Sequence, residues 1–106
     1  MITEDYVSFE ISKLLKEKGF DEECQKYYGD YKYPCPTLQM AMKWLRKVHY
    51  IFIRPNTSFL YPIRYYYEIF CYGDNLKTQQ DVTTENFESP EEACEAAIKY
   101  CLENLI

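Results

Sequence analysis

Several things a catalytic or membrane protein needs are scarce in these 106 residues. There is one histidine, His49, and there are three glycines, Gly19, Gly29 and Gly73, none close to another. Isolated glycines build neither the dinucleotide-binding fingerprint nor the phosphate-cradling loop of nucleoside triphosphatases, and each reads as a turn. A single imidazole limits Ser/His or Cys/His catalysis to one position, and His49 sits between Val48 and Tyr50 at a helix-to-strand junction, where a structural role is the expected one. The five cysteines, Cys24, Cys35, Cys71, Cys94 and Cys101, contain no C-x-x-C pair. Zinc sites commonly take two ligands from such a pair, and Cys94 and Cys101 are spaced as one face of a helix, so the cysteines read as small buried hydrophobes. The acidic pairs Glu22-Glu23 and Glu91-Glu92 fall in a loop and at a helix start, where solvent or the helix dipole favours negative charge. No metal and no cofactor is expected.

No apolar run approaches the ~20 residues that span a bilayer, and the first residues lack the basic and apolar stretches of a secretory signal, so the cytoplasm is the expected location and no membrane partner is expected. Length and composition match one domain over residues 1–106, with 47% hydrophobic and 27% charged residues and room for a single core.

The most uneven feature is charge. Between Tyr31 and Tyr67 there is no Asp or Glu, while Lys32, Lys43, Arg46, Lys47, Arg54 and Arg64 lie there; the flanks hold the other six basic residues and all seventeen acids of a chain with net charge −5. The same window contains seven of the twelve tyrosines together with Trp44, Phe52 and Phe59. Positive charge mixed with aromatic area suits a recognition surface. Arg54, Arg64 and Tyr66, with Lys43, Trp44 and Arg46 from the neighbouring helix, are the candidate binding residues. The alternative role for the cations is neutralisation of the acidic terminal helices.

Local patterns set the expected elements. A first helix is expected from about Glu4 to Lys18, capped by Thr3 and stopped by Gly19, with Val7, Ile11, Leu14 and Leu15 on one stripe and Phe20 folding back on it. Residues Asp21 to Pro36 read as a loop with a short hairpin around Gly29-Asp30. Thr37 caps a second helix running to about Lys47, with Leu38, Ala41, Met42 and Leu45 inward and Trp44 either at the core edge or in a contact. His49 to Arg54 is a strand and Pro55 to Ser58 a turn. In the next strand, Phe59 to Tyr72, alternation turns Phe59, Tyr61, Ile63, Tyr65, Tyr67, Ile69 and Cys71 inward, and Pro62 marks an edge or bulge. Gly73-Asp74-Asn75 is a second turn, with a weak edge strand through Lys77, Gln79, Val82 and Thr84. Ser89, Pro90 and Glu92 start the last helix, and Cys94, Ala97, Ile98, Cys101, Leu102 and Leu105 form its buried face. The fold class is α+β: three helices on a small antiparallel sheet of two to four strands, in two layers.

The stretch PCPTLQMAMKWLR from Pro34 to Arg46 and the ending SPEEACEAAIKYCLENLI from Ser89 resemble a group of small proteins encoded in prophages and mobile elements of gut anaerobic bacteria. The resemblance implies a genetic context and no mechanism, because no activity or site residue is assigned in that group. The functional expectation is a small non-enzymatic binding or modulator protein, acting on a host or viral protein through the basic-aromatic sheet and helix surface. A nucleic-acid-binding module using the same surface is the first alternative, which the net charge disfavours. A thiol-based enzyme is the second. A homodimer through an unpaired sheet edge is compatible with the sequence.

Overall fold

A computed structural model describes residues 5–57, 64–72, 78–82 and 87–106. Three helices, α1 (Phe9–Glu17), α2 (Leu38–His49) and α3 (Pro90–Asn104), combine with a small hairpin, β1 (Tyr27–Tyr28) and β2 (Tyr33–Pro34), and with a three-stranded antiparallel sheet of β3 (Ile51–Thr57), β4 (Tyr65–Tyr72) and β5 (Thr78–Val82) in the order β3-β4-β5. The expected α+β class and its two layers are present: α2 and α3 pack on one face of the larger sheet, and α1 packs on α3 and on the hairpin.

The first helix starts later than its local signals imply. Ser8 is the cap, its side chain accepting the Ile11 N–H at 3.3 Å, and Thr3 and Glu4 lie outside the described residues. Residues 5–7 are extended instead. The Val7 N–H donates to the Pro36 carbonyl at 3.0 Å and the Leu38 N–H to the Asp5 carbonyl at 2.9 Å, with Tyr6 bridged to Thr37. Tyr6 and Val7 favour extended backbone, and pairing with the segment before α2 overrides the acidic residues that look like a first helical turn. Val7 still reaches the core, as the stripe requires, but from a strap and not from the helix. The other end of α1 closes as expected: Phe20 N–H bonds the Leu15 carbonyl and Gly19 N–H the Lys16 carbonyl, with Gly19 at φ 93°. This is a Schellman ending, and it turns the buried Phe20 back onto the core.

The hairpin forms around a turn in which Gly29, Asp30 and Tyr31 all have positive φ (63°, 52° and 67°). Thr37 caps α2, accepting the Met40 N–H at 3.1 Å, and the helix runs two residues past Lys47 to His49. Tyr50, at φ 56°, ends it by donating its N–H to the Leu45 carbonyl. The turn expected at Pro55 is absent: Pro55, Asn56 and Thr57 continue β3 and pair with Tyr67, Tyr66 and Tyr65. Proline is tolerated there because β3 borders the sheet, with only β4 beside it among the described residues.

Alternation along β4 holds where it is described. Tyr67 and Ile69 are buried with Ile51, and Ile53 and Cys71 pack beside them. The expected strand residues Phe59 to Ile63, with Pro62, lie outside the described residues, as do the Gly73-Asp74-Asn75 turn, Lys77 and Thr84. β5 pairs with β4 from Glu68↔Val82 to Tyr72↔Thr78. Beyond it Phe87 takes over the pairing, exchanging backbone hydrogen bonds with Tyr65 at 2.9 and 2.7 Å. Ser89 caps α3 at the Glu92 N–H, 3.1 Å. The Glu92 carboxylate accepts the Glu88 N–H at 3.1 Å, one residue before the position that a reciprocal capping box uses. The inward face of α3 is the expected one, and Ala93 and Ala97, fully buried, let it lie close to the sheet.

Because Ser8 and not an earlier residue holds the start of α1, Ser8→Ala should lower stability by about 1 kcal/mol. The urea midpoint of the purified variant measures this.

Candidate binding surface

The register of β3 against β4 sorts side chains onto two faces. Ile51, Ile53, Tyr67, Ile69 and Cys71 face the helices. The pairs Phe52↔Phe70, Arg54↔Glu68 and Asn56↔Tyr66 stand on the other face, on which no helix packs among the described residues. Phe52 is 40% exposed, and Tyr66 and Phe70 are half-buried. Arg64 is exposed. Alternation puts it on the same face as Glu68, four residues or about 13 Å along the strand.

Electrostatics on this face is mixed. Glu68 lies between two partners: Arg54 Nη2 is 3.8 Å from its Oε2, and Asn56 Nδ2 donates to its Oε1 at 3.3 Å. The Arg54 side chain is 64% exposed and that of Glu68 only 13%. Screening at that exposure leaves the pair little stabilising value, but the carboxylate cancels the charge of Arg54 locally. Arg64 is then the cation of the face without an ion-pair partner among the described residues.

The other candidate residues are elsewhere. Lys43 and Arg46 project from α2, in the helix layer on the far side of the sheet. Arg46 borders a groove of about 480 Å³ with Thr37, Met42, Ile53, Pro55 and Glu91, and Lys43 borders a cleft of about 310 Å³ with Lys47 and Val48. Trp44 is 6% exposed. Its indole meets the Phe20 ring at 5.4 Å and the His49 ring at 4.8 Å, both edge-on, so it belongs to the core and is removed from the candidate binding set. The cations of the central window therefore divide between two layers and do not gather into one patch; Arg54, Arg64 and Tyr66 share a face.

Sequence reasoning overlooked a second concentration of charge and rings. On α1 and the hairpin, ammonium groups lie over aromatic rings: Lys13 over Phe9 at 5.0 Å, Lys16 and Lys32 over Tyr33 at 5.3 and 5.4 Å, and Lys26 over Tyr6 at 4.9 Å. The spacing Phe9, Lys13, Lys16 on one helix face was the available signal. The hairpin half of the cluster comes from a non-local contact that no local pattern reveals.

Two of the thiols and the imidazole are shifted toward their neutral forms. Burial pushes the Cys24 and Cys94 thiols up, with Cys35 and Glu22 adding to the effect on Cys24 and Glu91 on Cys94, so both are protonated at neutral pH. Burial also lowers the His49 pKa, and its Nε2 is buried without a hydrogen-bond partner among the described residues. No group of three or more His, Cys, Asp or Glu side chains there could hold a metal ion. No helix is long and apolar enough to cross a membrane among those residues.

No protein-family model, curated protein or solved structure matches this chain.

Trp44→Ala should cost about 3–5 kcal/mol, as for a buried ring, whereas Lys43→Ala should stay within about 0.5 kcal/mol; chemical denaturation separates them. His49 sets a pH dependence of definite sign. Its lowered pKa means that the unfolded chain takes up the proton first, so its contribution is complete above about pH 6.5 and declines as pH falls toward the folded value. The drop in thermal midpoint between about pH 7.5 and about pH 5.5 should be smaller in His49→Gln than in the wild type.

Proposed function

We propose that this protein is a small binding or modulator protein, encoded by a phage or other mobile element, which acts on a host or viral protein through the open face of its β3-β4-β5 sheet. The observation that supports this reading is the aromatic face carrying Phe52, Tyr66 and Phe70, uncovered by any described helix and edged by Arg54 and Arg64. Exposed apolar area of this kind, rimmed by polar groups, is characteristic of contact surfaces. Each ring offers large contact area at small cost in side-chain entropy.

The same face is poorly suited to nucleic acid. A phosphate backbone laid along it meets the Glu68 carboxylate beside Arg54, and the net charge of −5 opposes approach at long range. A protein partner can answer Arg54, Glu68 and Asn56 with polar groups of its own while covering the rings. The cytoplasm is the proposed setting, consistent with five cysteines in the free form.

Immobilised wild-type protein should retain, from a bacterial host lysate, a partner that Phe52→Thr/Arg64→Glu does not, with both proteins giving the same circular dichroism and thermal midpoint. An identical set of retained proteins, or none above background, would remove the proposal.

A further inference from the structure

The lysine and aromatic cluster of α1 and the β1-β2 hairpin is independent of the sheet face, and its geometry defines a ligand. Phe9, Lys13 and Lys16 follow one another at i, i+4 and i+7, along the flank of α1 next to the buried Ser12. The hairpin lies against this side: Tyr28 and Tyr33 meet the Phe9 ring edge-on at 5.3 Å and 5.4 Å. Lys32 reaches the Tyr33 ring from the hairpin and Lys16 reaches it from the helix. The Lys16 ammonium also donates to the Lys32 carbonyl at 2.7 Å. Three exposed cations are thus held in place by rings and backbone before any ligand arrives, which reduces the ordering cost of binding. None of the three is ion-paired among the described residues. Of the two acids on α1, Glu10 and Glu17, the first is already occupied by Lys99 at 3.0 Å.

Tyr31 adds an anchor. It is 83% exposed and sits at φ 67° at the tip of the hairpin, where a bulky side chain is unusual and glycine or asparagine is the common choice. The turn beneath it is closed by the Lys32 N–H donating to the Gly29 carbonyl at 3.0 Å, and Tyr27 lies beside its ring at 5.4 Å. A projecting tyrosine with neighbouring fixed cations is the arrangement of a protein hot spot.

We propose that this ridge docks an acidic segment of a partner protein, with Lys13, Lys16 and Lys32 taking its carboxylates and Tyr31 its apolar side chain. The rings of Phe9 and Tyr33 carry ammonium groups on their faces, so they offer no open platform for stacking nucleobases. Glu10, Glu17 and Glu103 border the same cleft, about 530 Å³ in volume, with Lys13, Lys16 and Lys32, and of these acids Glu10 is paired with Lys99. Those carboxylates repel a continuous phosphate backbone but can be avoided by separate acidic side chains.

The test uses a fluorescein-labelled peptide of about a dozen residues alternating Glu with Leu and Phe, an oligothymidine of similar length and anionic phospholipid vesicles, each titrated with the full chain in about 20 mM salt. The peptide should bind. Lys16→Glu/Lys32→Glu should weaken it by about tenfold or more, Tyr31→Ala should weaken it to a smaller extent, and raising the salt to physiological strength should reduce it. Phe52→Thr/Arg64→Glu, which disables the sheet face, should leave peptide binding unchanged, so the two surfaces succeed or fail separately. Lys13→Glu gives a second charge reversal should the double variant lose its circular dichroism signal. Failure of the peptide to bind overturns the inference, as does indifference to the charge reversals, or preference for the oligothymidine or the vesicles.

Discussion

The fold depends on one short strap. Val7 lies outside any helix, yet its backbone ties two segments together: its N–H donates to Pro36, and its carbonyl accepts from the Tyr28 hydroxyl of β1 at 3.1 Å and from the thiol of Cys35, next to Pro36, at 3.4 Å. Two residues earlier the Asp5 carbonyl takes the Leu38 N–H, one of the donors that the first turn of α2 cannot satisfy internally. A hairpin with strands of two residues has little stability of its own. This one persists because α1 covers it, Ser12 donates from its buried hydroxyl to the Pro34 carbonyl, and the strap closes it from the other side. Loss of the strap would leave buried backbone groups unpaired, at about 1–3 kcal/mol for each, and would free both the hairpin and the start of α2.

That constraint also determines where charge appears. Fixing the hairpin against α1 brings Lys32, from the acid-free window, to Lys13 and Lys16 of a helix whose sequence reads as acidic and basic in turn. Two-layer packing disperses the rest of the window: α2 holds Lys43, Arg46 and Lys47 in the helix layer, while strand alternation turns Arg54 to the opposite side of the sheet. Glu68, one residue beyond the window, then neutralises Arg54 through cross-strand register. Charge clustered in sequence is dispersed in space, and the spatial cluster has members from separate sequence regions.

What could be read from the sequence divides along the same line. Signals complete within four or five residues gave correct elements: Gly19 and Phe20 at the end of α1, Thr37 and Ser89 as caps, Pro90 in the first turn of α3, and the period of two that buries Tyr67 and Ile69. Features depending on a distant partner were misread or left open. The start of α1 is displaced by pairing with residues 36–38, Pro55 remains extended because Tyr67 lies opposite, and Trp44 is buried because Phe20 returns across the chain to meet it. Of the candidate site, alternation along the strand from Phe59 to Tyr72 set Arg64 and Tyr66 opposite the inward residues, and the register with β3 brings Arg54 to the same face. Only the helix half of the lysine ridge, Phe9, Lys13 and Lys16, leaves a signal in the sequence, because tertiary packing alone brings the hairpin half to it.

The tyrosines show how one residue type serves both ends. Tyr67 is buried and stacks on Phe87, and Tyr28 places its ring in the packed layer with its hydroxyl on Val7, so each contributes as an ordinary core residue. Tyr31 and Tyr50 are exposed and both hold left-handed backbone, where the Cβ of any residue other than glycine adds strain. For Tyr50 the position is the end of α2, where glycine would serve the helix equally well. At Tyr31 the turn already contains Gly29, and the ring of this third left-handed residue projects at the tip with one contact, to Tyr27 of β1. Both rings remain largely exposed, so little burial within this chain offsets that strain. Their exposure beside two separate surfaces, one on the sheet and one on the lysine ridge, is accounted for if the burial that compensates the strain comes from another molecule.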